Sequence, residues 1–154
     1  MKPKILIFII TYKASYRVKD VIEKIPFGYI KKFNYEIYIS DDHSNDETID
    51  YIKDIKKKYL NVSFKLNYQN VGYGGNIKRC IKYAFAKKFD YAIMIHGDDQ
   101  YNSKYIENMI NLLQSNNEIA AIAGSRMKNK KNALKGKMPI YKFLGNIILT
   151  KLFN

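Results

Sequence analysis

Two short segments carry adjacent carboxylates, Asp41-Asp42 and His96-Gly97-Asp98-Asp99-Gln100, and each follows a run of apolar residues. Asp98 and Gln100 are hard oxygen donors two positions apart, and His96 stands two before Asp98. In extended backbone alternate side chains share a face, so His96, Asp98 and Gln100 would address one ion. Mg²⁺ and Mn²⁺ use one or two carboxylates and complete their shells with ligand phosphates and water, so the set predicts a divalent-cation site. The competing account is an Asp-rich turn that caps a helix near Ser103. Asp41-Asp42 leads into His43-Ser44-Asn45-Asp46, where helix-entry chemistry competes with hydrogen bonding to ribose hydroxyls or a base N–H.

A third segment, Asn70-Val71-Gly72-Tyr73-Gly74-Gly75, lets backbone approach a ligand closely. It lacks the dinucleotide-binding spacing and follows the third apolar run, not the first. The turn after the first run, Thr11-Tyr12-Lys13-Ala14-Ser15, has no glycine, which counts against NAD- and methyl-donor-binding folds. No Gly-Lys-Ser/Thr phosphate loop occurs.

The elements that must position these segments alternate in type. Ile5 to Ile10 is an unbroken apolar run, the mark of a strand covered on both faces. A helix over Ser15 to Lys24 turns Val18, Val21 and Ile22 inward and stops at Pro26-Phe27-Gly28. Tyr35 to Ile39 is a second strand. Ser44 and Glu47 have capping-box spacing and predict a helix start, with Ile49, Ile52, Ile55 and Tyr59 as its core stripe. Val62, Phe64 and Leu66 alternate with polar residues as a third strand. The next helix is expected to bury Ile77, Ile81, Ala84 and Phe85 and to expose Lys78, Arg79 and Lys82. Tyr91 to Ile95 reads as a buried strand, Ile106, Met109, Ile110 and Leu113 mark a helix, and Ile119 to Ala123 reads as a fifth strand. Strands alternating with helices predict an α/β fold, a mostly parallel sheet with helices on both faces. In such sheets ligands bind beyond the carboxyl ends of the strands, where all the polar segments above fall.

The 154 residues fit one domain, and 47% apolar with 27% charged residues exclude a disordered or collagenous chain. The net charge of +13 is uneven: residues 126–154 hold eight bases and no acid, leaving 19 bases against 14 acids before them. The organisation expected is a core over 1–125, then a basic loop and an amphipathic helix from Pro139 over 126–154. That helix is too short to span a bilayer but suited to an interface. The single Cys80 excludes an internal disulfide and suits a reducing compartment. The 14 Tyr and 8 Phe beside that charge raise a nucleic-acid-binding alternative. Scarce Arg, a basic excess concentrated in the tail and the lack of an RNP-like motif weigh against it, so no nucleic-acid partner is expected.

In order along the chain, Ile9-Ile10-Thr11-Tyr12, Ile39 to Asp46, Asn70 to Gly74 and His96 to Tyr101 resemble the family-2 glycosyltransferases of the GT-A fold. Gly124-Ser125-Arg126, Gly136 to Lys142 and Gly145-Asn146 are similar to the polyprenyl-phosphate branch, the dolichyl-phosphate mannose synthase type. The resemblance implies sugar transfer from a UDP- or GDP-linked donor to polyprenyl phosphate, inverting and dependent on Mg²⁺ or Mn²⁺. It implies a donor set of Thr11, Tyr12, Asp41, Asp42, Asn70, Gly72 and Lys78. Asp98 stands at the second acid of the family's Asp-x-Asp motif and would bind the metal, with Gln100 and His96 on the metal side. Arg126 would face acceptor phosphate. Asp99 is the nearest base if the acceptor were a hydroxyl. His96 replaces the motif's first acid, which softens the metal site, and Lys13-Ala14 stand where the family often has Asn-Glu. A cytoplasmic enzyme peripheral to the inner membrane face is expected, with the membrane surface as a partner. Members of the branch usually continue further, so a truncated chain or a very short homologue is expected; a nucleotide-binding remnant without transfer activity is the alternative.

Overall fold

The computed structural model describes residues 2–116, 118–124 and 139–153. The chain divides into two compact units, Met1–Leu112 and Leu113–Asn154.

In the first unit the chain runs β1 (Lys4–Thr11), α1 (Arg17–Glu23), α2 (Phe27–Ile30), β2 (Asn34–Asp41), α3 (Thr48–Lys58), β3 (Val62–Leu66), α4 (Gly72–Ala86), β4 (Tyr91–His96) and the start of α5 (Ile106–Ser115). The sheet order is β3-β2-β1-β4 and every pairing is parallel. β1 explains its own apolar run. Ile5, Ile7 and Ile9 join Val18, Ile22, Ile52 and Ile106 in the core under α1, α3 and α5, while Leu6, Phe8 and Ile10 join Tyr38, Cys80 and Ala84 under α4. A central strand with helices on both faces has no wet side, so both alternations are apolar. Burial pushes the Cys80 thiol up to about 11, which leaves it protonated at neutral pH.

The structure corrects several local expectations. α1 does stop before Pro26, at Glu23, but Pro26 then opens α2, a single turn whose Ile30 is buried and which the pattern did not announce. Ser44 and Glu47 form no capping box: α3 starts at Thr48, whose N–H donates to Asp46 Oδ1 at 3.2 Å, and Ser44 is recruited by Asp41 instead. In α4 the buried stripe is Asn76, Cys80 and Ala84, whereas Ile81 is 41% and Phe85 80% exposed. Asn76 takes an inward position because Ser40 of β2 satisfies it, donating to its Oδ1 at 2.6 Å while Asn76 Nδ2 donates to the Ser40 carbonyl at 2.9 Å. That rotates the apolar Ile81 and Phe85 outward. Among the described residues β4 is the edge strand, with Ile93 and Ile95 buried and Ala92 and Met94 exposed, so they cover it on one face only.

In the second unit, Ile119 to Ala123 form no strand; these residues are irregular and none is fully buried. Two isoleucines among three alanines have weak strand preference, and without a ladder partner nothing offsets the ordering cost. The last helix, α6 (Ile140–Phe153), begins after Pro139, whose carbonyl accepts the Phe143 N–H at 3.0 Å. Ile140, Tyr141, Leu144, Ile148, Leu149 and Leu152 are exposed on it. Among the described residues no helix is long and apolar enough to cross a membrane.

Candidate active site

Register places the two acidic turns at one edge. Thr11 pairs with Asp41 and Ile10 with both Ser40 and His96, so the turns after β2 and β4 leave the sheet level with the end of β1, one on each side of it. The Asp42 N–H donates to the Thr11 carbonyl and the Gly97 N–H to the Ile10 carbonyl, both at 2.9 Å. With neighbouring strands about 4.8 Å apart, the turns stand roughly 10 Å from each other across β1.

Asp41 is fully buried. Its Oδ1 accepts the Ser44 N–H at 2.8 Å, and its Oδ2 accepts the Thr11 hydroxyl at 2.7 Å and the Ser44 hydroxyl at 2.8 Å. Ser44 Oγ accepts the Lys13 N–H at 2.8 Å, so Asp41 locks the end of β1 to the turn after β2. Asp42, 3% exposed, links a different pair of segments: its Oδ1 accepts from Asn67 Nδ2 at 3.0 Å and from the Val71 N–H at 2.9 Å. Arg79 donates to Asn67 Oδ1 at 2.6 Å, extending the network onto α4. Asn70 Oδ1 accepts the Gly72 N–H at 2.9 Å, and Gly72 has φ +75°, a left-handed position that suits glycine. The glycine turn is therefore held by Asp42 and Asn70, and Gly74 and Gly75 already belong to α4. Asp41→Ala would leave two hydroxyls and an N–H without their acceptor. The expected loss is about 3 kcal/mol of stability, read as a shifted denaturation midpoint with Asp41→Asn intermediate; an unshifted midpoint contradicts the locking role.

The turn after β4 does not continue in extended form. The chain bends at Gly97 and Asp98, and Asp99 is left-handed with φ +60°. His96 shares the sheet face of its register partner Ile10, the face under α4. There its Nε2 lies 3.1 Å from the Tyr73 hydroxyl, with the Tyr73 and Tyr101 rings 5.3 and 4.9 Å away. Alternation thus does not carry His96, Asp98 and Gln100 onto one face. Asp98 and Gln100 remain together through the bend, where Asp98 Oδ1 accepts the Gln100 N–H at 3.0 Å. Asp98 is partly exposed at the rim, whereas Asp99 turns to an ion pair with Lys24.

Of the other candidates, Tyr12 is 51% exposed beside this edge, and Lys78 is exposed in the second turn of α4. Arg126 lies outside the described residues. Sequence reasoning missed Tyr73, Asn67, Asn76 and Lys24. Asn76 had a signal, a polar residue at four-residue spacing from Cys80 and Ala84. Among the described residues no three His, Cys, Asp or Glu side chains cluster to hold an ion by themselves. One partly exposed carboxylate, that of Asp98, still fits Mg²⁺ or Mn²⁺ if donor phosphates and water fill the shell. A shallow depression at the opposite edge, lined by Asn34, Glu36 and Ser63, has its carboxylate engaged by the Ser63 and Tyr83 hydroxyls.

The description of Glycosyl transferase family 2 matches residues 6–153, nearly the whole chain. The chain belongs to that family. This family-2 chain also shares its fold with solved structures. The mannosyltransferase PcManGT from Pyrobaculum calidifontis, solved with GDP-Man and Mn²⁺, superposes with a TM-score of 0.60 at 13% identity over 73% of this chain. S. aureus TarS 1-349 with UDP-GlcNAc gives 0.56 at 16% identity over 82% of this chain. The family-2 chain covers 33% and 38% of those two structures, respectively. No curated protein matches it in sequence. The fold is GT-A-like, a mostly parallel sheet flanked by helices.

Proposed function

We propose that this family-2 chain is a glycosyltransferase that moves a sugar from a nucleoside-diphosphate sugar to polyprenyl phosphate, with Mg²⁺ or Mn²⁺. The observation that carries the reading is the pair of acidic turns at one sheet edge, with the donor-side turn built rigidly and Asp98 left partly in solvent. The two similar structures contain GDP-Man with Mn²⁺ and UDP-GlcNAc, which supports a nucleotide-sugar donor.

In this reading Thr11, Tyr12 and the glycine turn at Asn70 and Gly72 line the nucleoside, with Asp42 and Asp41 fixing the walls, while Lys78 draws the diphosphate. Asp98 and Gln100 would hold the metal, and His96 borders it from the α4 side. An ion held there would supply positive charge to a departing diphosphate, the kind of electrostatic stabilisation that dominates such transfers. A single displacement inverts the anomeric centre: the bond to the acceptor oxygen forms as the bond to the diphosphate breaks. A phosphate acceptor is already ionised near neutral pH, so no base is needed and Asp99 can stay on Lys24. The family resemblance alone assigns Arg126 to the acceptor phosphate. The basic stretch over 126–137 and the apolar α6 favour an anionic bilayer, each base contributing about 1 kcal/mol near such a surface; the proposed location is the cytoplasmic face of a membrane.

Calorimetric titration with UDP- and GDP-sugars, with Mn²⁺ and again with EDTA, tests the donor. One nucleotide should bind in a Mn²⁺-dependent way, and incubation with polyprenyl phosphate should then release the nucleoside diphosphate. Absence of binding by either nucleotide overturns the proposal.

A further inference from the structure

We propose that Lys24 is a positioning residue of this site: by holding Asp99 inward it keeps the neighbouring Asp98 presented to the donor. The inference rests on the donor-binding reading of Asp98 given above. Asp98 and Asp99 are adjacent, and both facing a diphosphate would set an unneeded second negative charge against it. The fold separates them. Asp99 adopts a left-handed backbone, φ +60°, which costs an L-residue energy but which Asp tolerates, and its carboxylate pairs with the Lys24 ammonium.

Lys24 is the residue that closes α1, 75 positions from its partner, so the pair ties the first helix to the turn after β4. One turn earlier, the Val21 carbonyl accepts the Ser103 hydroxyl at 2.8 Å. That carbonyl is among the last four of α1, which have no partner within the helix. The end of α1 therefore grips the segment at Asp99 and Ser103, while the Gly97 N–H pins its other end to β1. Asp98, partly exposed, lies between these anchors. Asp99 Oδ1 is buried with no hydrogen-bond partner among the described residues, so Lys24 is the principal compensation for that carboxylate. A carboxylate that loses its cation in such a place turns toward water, and the bend that aims Asp98 moves with it.

Four full-chain variants test this: Lys24→Met, Lys24→Arg, Asp99→Asn and the Lys24→Met/Asp99→Asn double. Each is measured for donor dissociation constant with Mn²⁺ and for melting temperature. Lys24→Met should weaken donor binding about 10-fold or more, since the turn that presents Asp98 loses one of its anchors. Lys24→Arg should stay within about 3-fold of the parent, and the double variant should recover most of the loss because no uncompensated charge remains. Parent-like binding by Lys24→Met, or a double variant as weak as Lys24→Met, overturns the proposal. Should the parent bind no donor, the proposed function fails and the tether is read from melting alone. Lys24→Met should then lower Tm by about 4 °C or more and Asp99→Asn should restore it; additive shifts overturn the tether.

Discussion

Asp98→Ala is expected to abolish Mn²⁺-dependent donor binding, weakening it at least about 100-fold, and to reduce transfer by about 10³-fold. The melting temperature should hardly move. Asp98 is partly exposed, and its described hydrogen bond is a local one to the Gln100 N–H, so little of the fold depends on it. The contrast with Asp41 is physical. Both are acids at strand ends, but Asp41 is buried under three hydrogen bonds and Asp98 is left to solvent. Calorimetry on Asp98→Ala with and without Mn²⁺, beside a thermal melt, checks both halves. Retained metal-dependent binding, or a collapse of Tm, contradicts the role assigned to Asp98.

Gly97→Ala is the second large effect. A Cβ at Gly97 would lie 2.4 Å from Thr11 Cγ2 and 3.2 Å from the Ile10 carbonyl oxygen, inside contact distance of a buried β1 end. The turn must move away, which costs about 1–3 kcal/mol of stability as overpacking does. It also displaces Asp98, one residue along, and a displacement of about 1 Å costs on the order of 100-fold in rate. The clash names its own rescue. Thr11→Ser removes Cγ2 and keeps the hydroxyl that donates to Asp41, so Gly97→Ala/Thr11→Ser should recover a large part of stability and donor binding. A double variant no better than Gly97→Ala shows that the methyl contact is not what fixes the turn.

The same neighbourhood shows what the sequence made legible. The six-residue apolar run of β1, the alternation of strands with helices and the placing of every polar segment at strand ends sufficed for the parallel sheet and for the edge at which the polar turns gather. Those signals are long and periodic, and they depend on backbone geometry that tertiary context does not alter. The failures are local and share a cause: a side chain found a better partner across the fold. Ser44 bonds Asp41 rather than capping α3, and Asn76 bonds Ser40 rather than facing water, which turns Ile81 and Phe85 outward. Alternation from His96 to Gln100 fails because Gly97 bends the chain against β1. Residues 119–123 form no strand because apolar composition supplies no ladder partner. The Lys24–Asp99 pair spans 75 positions, and nothing in either segment alone announces it.

The most direct measurement is paramagnetic broadening of backbone amide signals by substoichiometric Mn²⁺ in the presence of the nucleoside-diphosphate sugar. Amides of Gly97, Asp98, Asp99 and Gln100 should vanish first. That of Asp42, roughly 10 Å away across β1, should broaden next, and more strongly when donor is present. Asn34, Asn61 and Asp90, at the opposite edge of the sheet, should keep their intensity. Broadening centred on the acids of α3, or donor addition that leaves the Asp42 amide untouched, would contradict a shared cleft between the two acidic turns.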